Sequence, residues 1–312
     1  MKTAVLFPGQ GAQYVGMGHD FYERFPVAKK VFAQCADVLG DSINDIIFHG
    51  PEEVLQDTAN TQPAILTVSM AIYRVLEELG IKADGFAGLS LGEYSALVAA
   101  NAISFADALP LVQKRGIYMQ KAVPAGEGTM MAIMGISHDM IDKVCADAAS
   151  EGLVAPANYN CPGQVVISGQ VSAVRKAADL AREAGAKKVI ELKVSAPFHC
   201  SLLKPVEERL AKELEAVEIR NPEVPVVFNV SALFADEPLQ IRANLVNQVS
   251  NPILWEQSVR SLMANGINKF IGVGPGNSLS RLMKRIAPEF STISIEDAES
   301  VEIQVEKLLA EY

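Results

Sequence analysis

The segment Gly88-Leu89-Ser90-Leu91-Gly92 constrains this chain more than any other stretch. It follows a short loop and strand at residues 81–88 and leads into a small-residue segment at 90–100. That order predicts a strand, a sharp turn and a helix. Glycine is required where such a turn brings two backbone segments too close for a side chain. In this setting the pattern matches a nucleophile elbow, which lifts a serine hydroxyl clear of a sheet. It also sets a helix N-terminus, with its unpaired N–H groups, beneath developing negative charge. The competing reading makes Ser90 a helix cap between two packing glycines.

The flanking pattern extends the α/β reading. Residues 3–7 are continuously apolar, as a buried strand is. Helices are expected at 21–38, at 63–79, where Ile65, Val68, Ile72, Val75 and Leu79 form one stripe, and at 105–121. From about residue 128 the rhythm changes. Strands are expected at 129–134, 153–159, 164–168 and 188–194, with helices at 139–149 and 172–184. That β-α-β-β-α-β order is the split-βαβ arrangement of ferredoxin-like units. It reads as an insertion spanning 126–197, because core-like units then resume. These are a helix at 202–214, a strand at 224–229, a helix at 252–263, a strand at 269–273 and helices at 279–286 and 301–309. The expected organisation is an α/β core with a largely parallel sheet from 1–125 and 198–312.

A serine nucleophile needs a base. Of the four histidines, His19, His49 and His138 sit in surface-like polar segments. His199 instead follows an expected strand through the turn Ser195-Ala196-Pro197-Phe198. A loop at a strand end can deliver a base to an elbow, and an imidazole with its ordinary pKa of about 6.5 exchanges protons near neutrality. An exposed or helix-capping role is the alternative for His199. No Asp or Glu follows a core strand in an order that suits a hydrolase triad. A Ser90–His199 dyad, its imidazole oriented by a backbone carbonyl, is therefore the expectation.

Arg115 falls on the apolar stripe Ala108, Leu111, Val112, Tyr118 and Met119, whereas Lys114 and Lys121 lie on another face. A buried guanidinium costs several kcal/mol unless an anion compensates it. An internal ion pair, snorkelling at the stripe edge, or a ligand carboxylate or phosphate gripped by the donor fork would each explain it. The loop Phe7-Pro8-Gly9-Gln10-Gly11 can offer backbone N–H groups, that of Gln10 among them, to an oxyanion. It lacks the Gly-Lys-Ser/Thr ending of a triphosphate loop and the glycine spacing of a dinucleotide site. Gly274-Pro275-Gly276 either lines the same crevice or only turns tightly.

Together these signatures resemble the malonyl-CoA:acyl-carrier-protein transacylase family, related to polyketide synthase acyltransferases. The resemblance rests on residues 7–13 (FPGQGAQ), 88–94 (GLSLGEY), Arg115 with Met119-Gln120, 158–169 (NYNCPGQVVISG), 196–199 (APFH), Gln248 with Asn251-Pro252, and Gly274-Pro275-Gly276. It implies a hydrolase-like core, with the ferredoxin-like unit as a lid and Asn160 near the cleft between them. It implies a ping-pong transfer through malonyl-Ser90, with His199 as base and the N–H groups of Gln10 and Leu91 as oxyanion hole. Arg115 would hold the malonyl carboxylate, and the Gln248 carbonyl would orient His199. Phe198 matches the malonyl-preferring pattern. Leu89 stands where the family usually has His, and Leu254 where it commonly has Arg.

The implied partners are malonyl-CoA, coenzyme A and an acidic acyl carrier protein, with no cofactor and no metal. A net charge of −10 argues against nucleic acid and anionic membrane. Carrier docking would then fall to local basic clusters, Lys187-Lys188 or Arg281, Lys284 and Arg285. Cys35, Cys145, Cys161 and Cys200 are too scattered for a disulfide framework or a zinc site. Residues 1–7 are too short an apolar run for a signal peptide, so a cytoplasmic location is expected; a monomer is the expected state. A thioester hydrolase or editing acyltransferase, and a noncatalytic carrier-binding module, are the rival readings.

Overall fold

In the computed structural model, which describes residues 2–310, the strands are β1 (Thr3–Phe7), β2 (Gly85–Gly88), β3 (Gly128–Met134), β4 (Val154–Cys161), β5 (Gln164–Gln170), β6 (Lys188–Glu191), β7 (Val226–Val227), β8 (Lys269–Val273) and β9 (Ser291–Ile295). The first sheet is parallel throughout, in the order β7-β2-β1-β8-β9. β1 lies at its centre, buried at every residue, which is why it reads as an unbroken apolar run. The chain moves to opposite sides of β1 through β2 and β8. Crevices at the carboxyl ends of strands beside such a switch point are where α/β sheets bind ligands. The loops after β1 and β2 carry Gln10 and Ser90 to that position.

The second sheet is antiparallel, in the order β4-β5-β3-β6, with helices His138–Asp147 and Val171–Glu183 connecting its strands. β3 is covered on both faces. Met131 and Ile133 pack into the small core under those helices, whereas Met130 and Ala132 join the main core. This sheet does not hang on its two chain crossings alone. Ile253 pairs with β4 through Tyr159 N–H to Ile253 O at 2.9 Å and Ile253 N–H to Ala157 O at 2.8 Å. Arg285 adds bonds to Gln164 Oε1 at 3.0 Å and Pro162 O at 2.6 Å.

Several elements depart from expectation. The helix expected at 21–38 is two helices, His19–Arg24 and Pro26–Leu39, because Phe25 before proline is held extended at φ −119°. The helix expected at 63–79 starts at Thr58, where the Asp57 side chain accepts from Ala59 N–H and caps it. The strand expected at 224–229 narrows to Val226–Val227, and β6 stops at Glu191 rather than 194. Helices Ser42–His49, Glu52–Leu55 and Pro238–Gln248 and strand β9 had no sequence expectation. No helix among the described residues is long and apolar enough to cross a membrane.

Candidate active site

Ser90 sits between the end of β2 and helix Gly92–Ala99 with φ at +53°, a conformation rare outside glycine. The flanking glycines are dictated by contact. A Cβ on Gly88 would lie 1.8 Å from the Gly92 carbonyl carbon, and one on Gly92 would lie 2.2 Å from Phe7 O. Between them the Ser90 hydroxyl meets His199, whose own φ is +58°. Ser90 Oγ lies 2.8 Å from His199 Nε2, and His199 Nδ1 lies 2.8 Å from Gln248 O. A carbonyl only accepts, so Nδ1 carries the imidazole proton and Nε2 is left to accept from the serine. Gln248 belongs to helix Pro238–Gln248, so its carbonyl arrives at the helix end, where carbonyls lack helical partners.

Arg115 is 1% exposed on helix Phe105–Gln120. It donates to Gln62 Oε1 at 2.8 Å, Gln248 Oε1 at 2.7 Å and Ser90 Oγ at 3.2 Å. The internal ion pair is thus not what holds it: all three acceptors are neutral, and its Nε lacks a partner among the described residues. Its guanidinium also lies 5.3 Å from the Tyr94 ring centroid, a supporting cation–π contact.

Burial sets the electrostatics. It pushes the His199 pKa down to about 3, assisted by the Arg115 charge and opposed by the bond to Gln248 O. The imidazole is therefore neutral at pH 7, the state a base needs. Burial also lowers the Arg115 pKa. Glu93 is fully buried and is pushed up to about 8, chiefly by desolvation.

These groups open into a cavity of about 110 Å³, whose lining includes Gln10, Ser90, Leu91, Arg115 and His199 on one side and Met130, Asn158, Leu192 and Val194 on the other. Among the described residues the backbone N–H groups of Gln10 and Leu91 have no hydrogen-bond partner. Phe198 and Leu89 complete the wall. Leu89, Gly9 and Gln10 also border a wider entrance cavity of about 480 Å³ with Met134, Asn160, Arg281 and Arg285. Asn160 is 9% exposed there. Gly274 and Gly276 abut Pro8 and Ala12 and so buttress the loop carrying Gln10. The backbone N–H of Leu254 donates to Asn229 O at 2.9 Å.

Sequence reasoning overlooked Gln62, Glu93 and Asn229. One cue was present: Glu93 is the only charged residue from 85 to 106. Nothing local distinguishes Gln62 or Asn229.

An acyl transferase domain model matches residues 5–303. The malonyl CoA-acyl carrier protein transacylase of Bacillus subtilis is 46% identical over 311 residues, 99% of this chain and 98% of its own length. An acyl carrier protein S-malonyltransferase from Vibrio cholerae superposes with a TM-score of 0.94 at 45% identity, covering 97% of this chain and 99% of that one. A malonyl-transacylase solved with a type II PKS acyl-carrier protein superposes at 0.96 with 42% identity, covering 98% and 100%.

Proposed function

Because the chain belongs to the malonyl-CoA:acyl-carrier-protein transacylase family, we propose that Ser90 and His199 are the nucleophile and base of its reaction. That reaction transfers malonyl from malonyl-CoA to the phosphopantetheine thiol of acyl carrier protein through an acyl-serine. The observation that carries the assignment is the convergence on one hydroxyl of a neutral imidazole at 2.8 Å and an anion-less guanidinium at 3.2 Å.

His199 Nε2 takes the Ser90 proton as Oγ attacks the thioester carbonyl. The N–H groups of Gln10 and Leu91 hold the oxyanion, and Arg115 pairs with the malonyl carboxylate. The carbon–sulfur bond breaks, and the imidazolium returns its proton to the coenzyme A sulfur. In the second half the carrier thiol gives its proton to His199 and attacks the ester. The malonyl thioester forms, and Ser90 Oγ leaves with that proton. The Gln248 carbonyl stabilises the imidazolium in both halves, the place an acid takes in a triad. Malonyl-CoA is a substrate, and every proton step is assigned to this chain's own side chains.

All these groups come from one chain, which supports a monomer as the working unit. Residues 126–197 act as a lid over the core. Basic groups flank the entrance: Arg281 and Arg285 line it, and Lys188 pairs opposite Met134 on the neighbouring strand. They suit an acidic carrier despite the chain's net charge of −10. Arg285 is partly committed to Gln164 and Pro162, which leaves Arg281 the less engaged of the pair.

Peptide mass analysis after incubation with malonyl-CoA should find a malonyl ester on Ser90 that holo-carrier protein discharges. Ser90→Ala should lose both, with transfer down by roughly 10⁴-fold or more. Absence of the ester in folded protein would overturn the assignment. Free malonate as the main product would favour the hydrolase reading.

A further inference from the structure

A buried carboxamide and a buried carboxyl group stand directly behind the nucleophile and take no part in the proton transfers. Asn229 is 0% exposed, just beyond β7. Its Oδ1 accepts from Ser90 N–H at 2.7 Å, and its Nδ2 donates to Gly88 O at 2.7 Å. One planar amide therefore spans the elbow from the end of the strand to the serine. Asn229 is itself held, since its backbone N–H donates to Glu93 Oε2 at 2.6 Å. Glu93, also 0% exposed, lies in the first turn of the helix that Ser90 introduces. The loop closes on itself: elbow to Asn229, Asn229 to Glu93, Glu93 to elbow. Gln248 adds a grip on the far side, donating from Nε2 to Ser90 O at 3.0 Å.

A serine at φ +53° requires such support. The left-handed conformation is unfavourable for a non-glycine residue and persists only where its surroundings over-determine it. Relaxation at residue 90 would swing Cβ, and with it Oγ, away from both His199 Nε2 and Arg115.

We propose that Asn229, anchored by Glu93, is a positioning residue that holds Ser90 in its left-handed conformation and so sets the hydroxyl within reach of His199. This rests on Ser90 being the nucleophile, and it adds a requirement that the dyad and the arginine do not contain. Asn229 touches no reacting atom. Its loss therefore affects the rate of acylation and not the affinity for malonyl-CoA, which Arg115 and the cavity walls set.

The test compares wild type with Asn229→Ala, Asn229→Asp, Glu93→Ala and Glu93→Gln, each with its thermal midpoint measured. Two readouts are taken: malonylation of Ser90 across malonyl-CoA concentrations, and labelling of Ser90 by a neutral fluorophosphonate. Asn229→Ala should lower the maximal acylation rate about 100-fold, the scale expected for a nucleophile displaced by ~1 Å. The half-saturating malonyl-CoA concentration should change less than threefold, and fluorophosphonate labelling should slow in parallel. Asn229→Asp keeps the acceptor for Ser90 N–H but cannot donate to Gly88 O, so it should fall between Asn229→Ala and wild type. Glu93→Ala should be slowed about tenfold, and Glu93→Gln, which retains an acceptor for Asn229 N–H, should recover most of that loss.

Folded variants that label at the wild-type rate, or whose loss lies wholly in half-saturation, would overturn the proposal. So would equal losses in Glu93→Ala and Glu93→Gln, should the Asn229 variants not fold. Wild-type protein that labels with fluorophosphonate but is not malonylated would sink the transfer mechanism instead and leave the positioning claim standing.

Discussion

The cleft wall supplied by the parallel-sheet core carries polar groups tied atom to atom, whereas the wall facing it is apolar except for Asn158 and works mainly by shape. On the core side Ser90, Arg115, Gln62 and Gln248 are joined with His199 by bonds of 2.7–3.2 Å. On the other side Met130 projects from β3, with Leu192 and Val194 from the segment after β6. The difference separates two tasks. Directional bonds fix where charge develops, and they fail sharply when one partner is removed. Dispersion and exclusion fix what size of acyl group enters, and they yield gradually when a methylene is removed.

The largest expected break in this contrast comes from the core wall. Arg115→Ala should lower kcat/KM for malonyl-CoA by about 10²-fold or more, because it leaves the substrate carboxylate buried and unpaired. Acetyl-CoA, which has no such carboxylate, should lose much less. Competition between the two thioesters measures the ratio, and an unchanged malonyl preference would remove the arginine from substrate recognition.

The facing wall should respond differently. Met130→Ala should leave malonyl transfer within a few-fold of wild type while raising the methylmalonyl-to-malonyl ratio about tenfold, the scale of one or two methylenes in a pocket. A loss on malonyl-CoA as deep as that of Arg115→Ala would erase the distinction between the walls.

Acid sensitivity sharpens the contrast further. Burial first, and Arg115 second, hold the His199 pKa down at about 3, so the imidazole remains an acceptor as pH falls through 6.5. Acylation should therefore persist well below the ordinary imidazole range. In Arg115→Ala the acid limb should move up, because the imidazolium no longer faces that charge, whereas Met130→Ala should not move it. Stopped-flow acylation between pH 4 and 8 reads this directly. A wild-type limb centred near 6.5 would contradict the buried neutral base.

The last contrast concerns stability rather than rate. Folded Glu93 holds its proton up to about pH 8, and the unfolded chain releases it near the ordinary glutamate value of 4.5. Between those values the native state binds more protons, so this group's contribution is full below about 4.5 and declines as pH rises towards 8. Glu93→Gln should flatten that decline in urea unfolding midpoints taken across the interval. A slope equal to wild type would mean that the carboxyl is ionised in the fold.

Much of the fold and of the site was legible in local sequence pattern. The turn Gly88–Gly92 betrayed itself through its glycines, His199 through its place after a strand, and Arg115 through its presence on an apolar stripe. The alternation of elements from 128 onward exposed the antiparallel sheet, because strand and helix periods are local. What stayed hidden was the support. Gln62, Glu93 and Asn229 are polar residues whose burial depends on distant elements, and helix Pro238–Gln248, which brings Gln248, has only a weak apolar pattern. Their partners lie far off in sequence: Asn229 is 139 residues from Ser90, and Gln248 is 158.

The amino-acid sequence by itself determined which groups are the candidates for the chemistry, because a constrained turn, a strand-end histidine and a misplaced cation each leave a mark within a few residues. Only the tertiary structure decided that they meet at hydrogen-bonding distance, that the imidazole is neutral and correctly oriented, and that the arginine lacks an anion. Those properties arise from desolvation and long-range pairing, which exist only once the chain has closed around them.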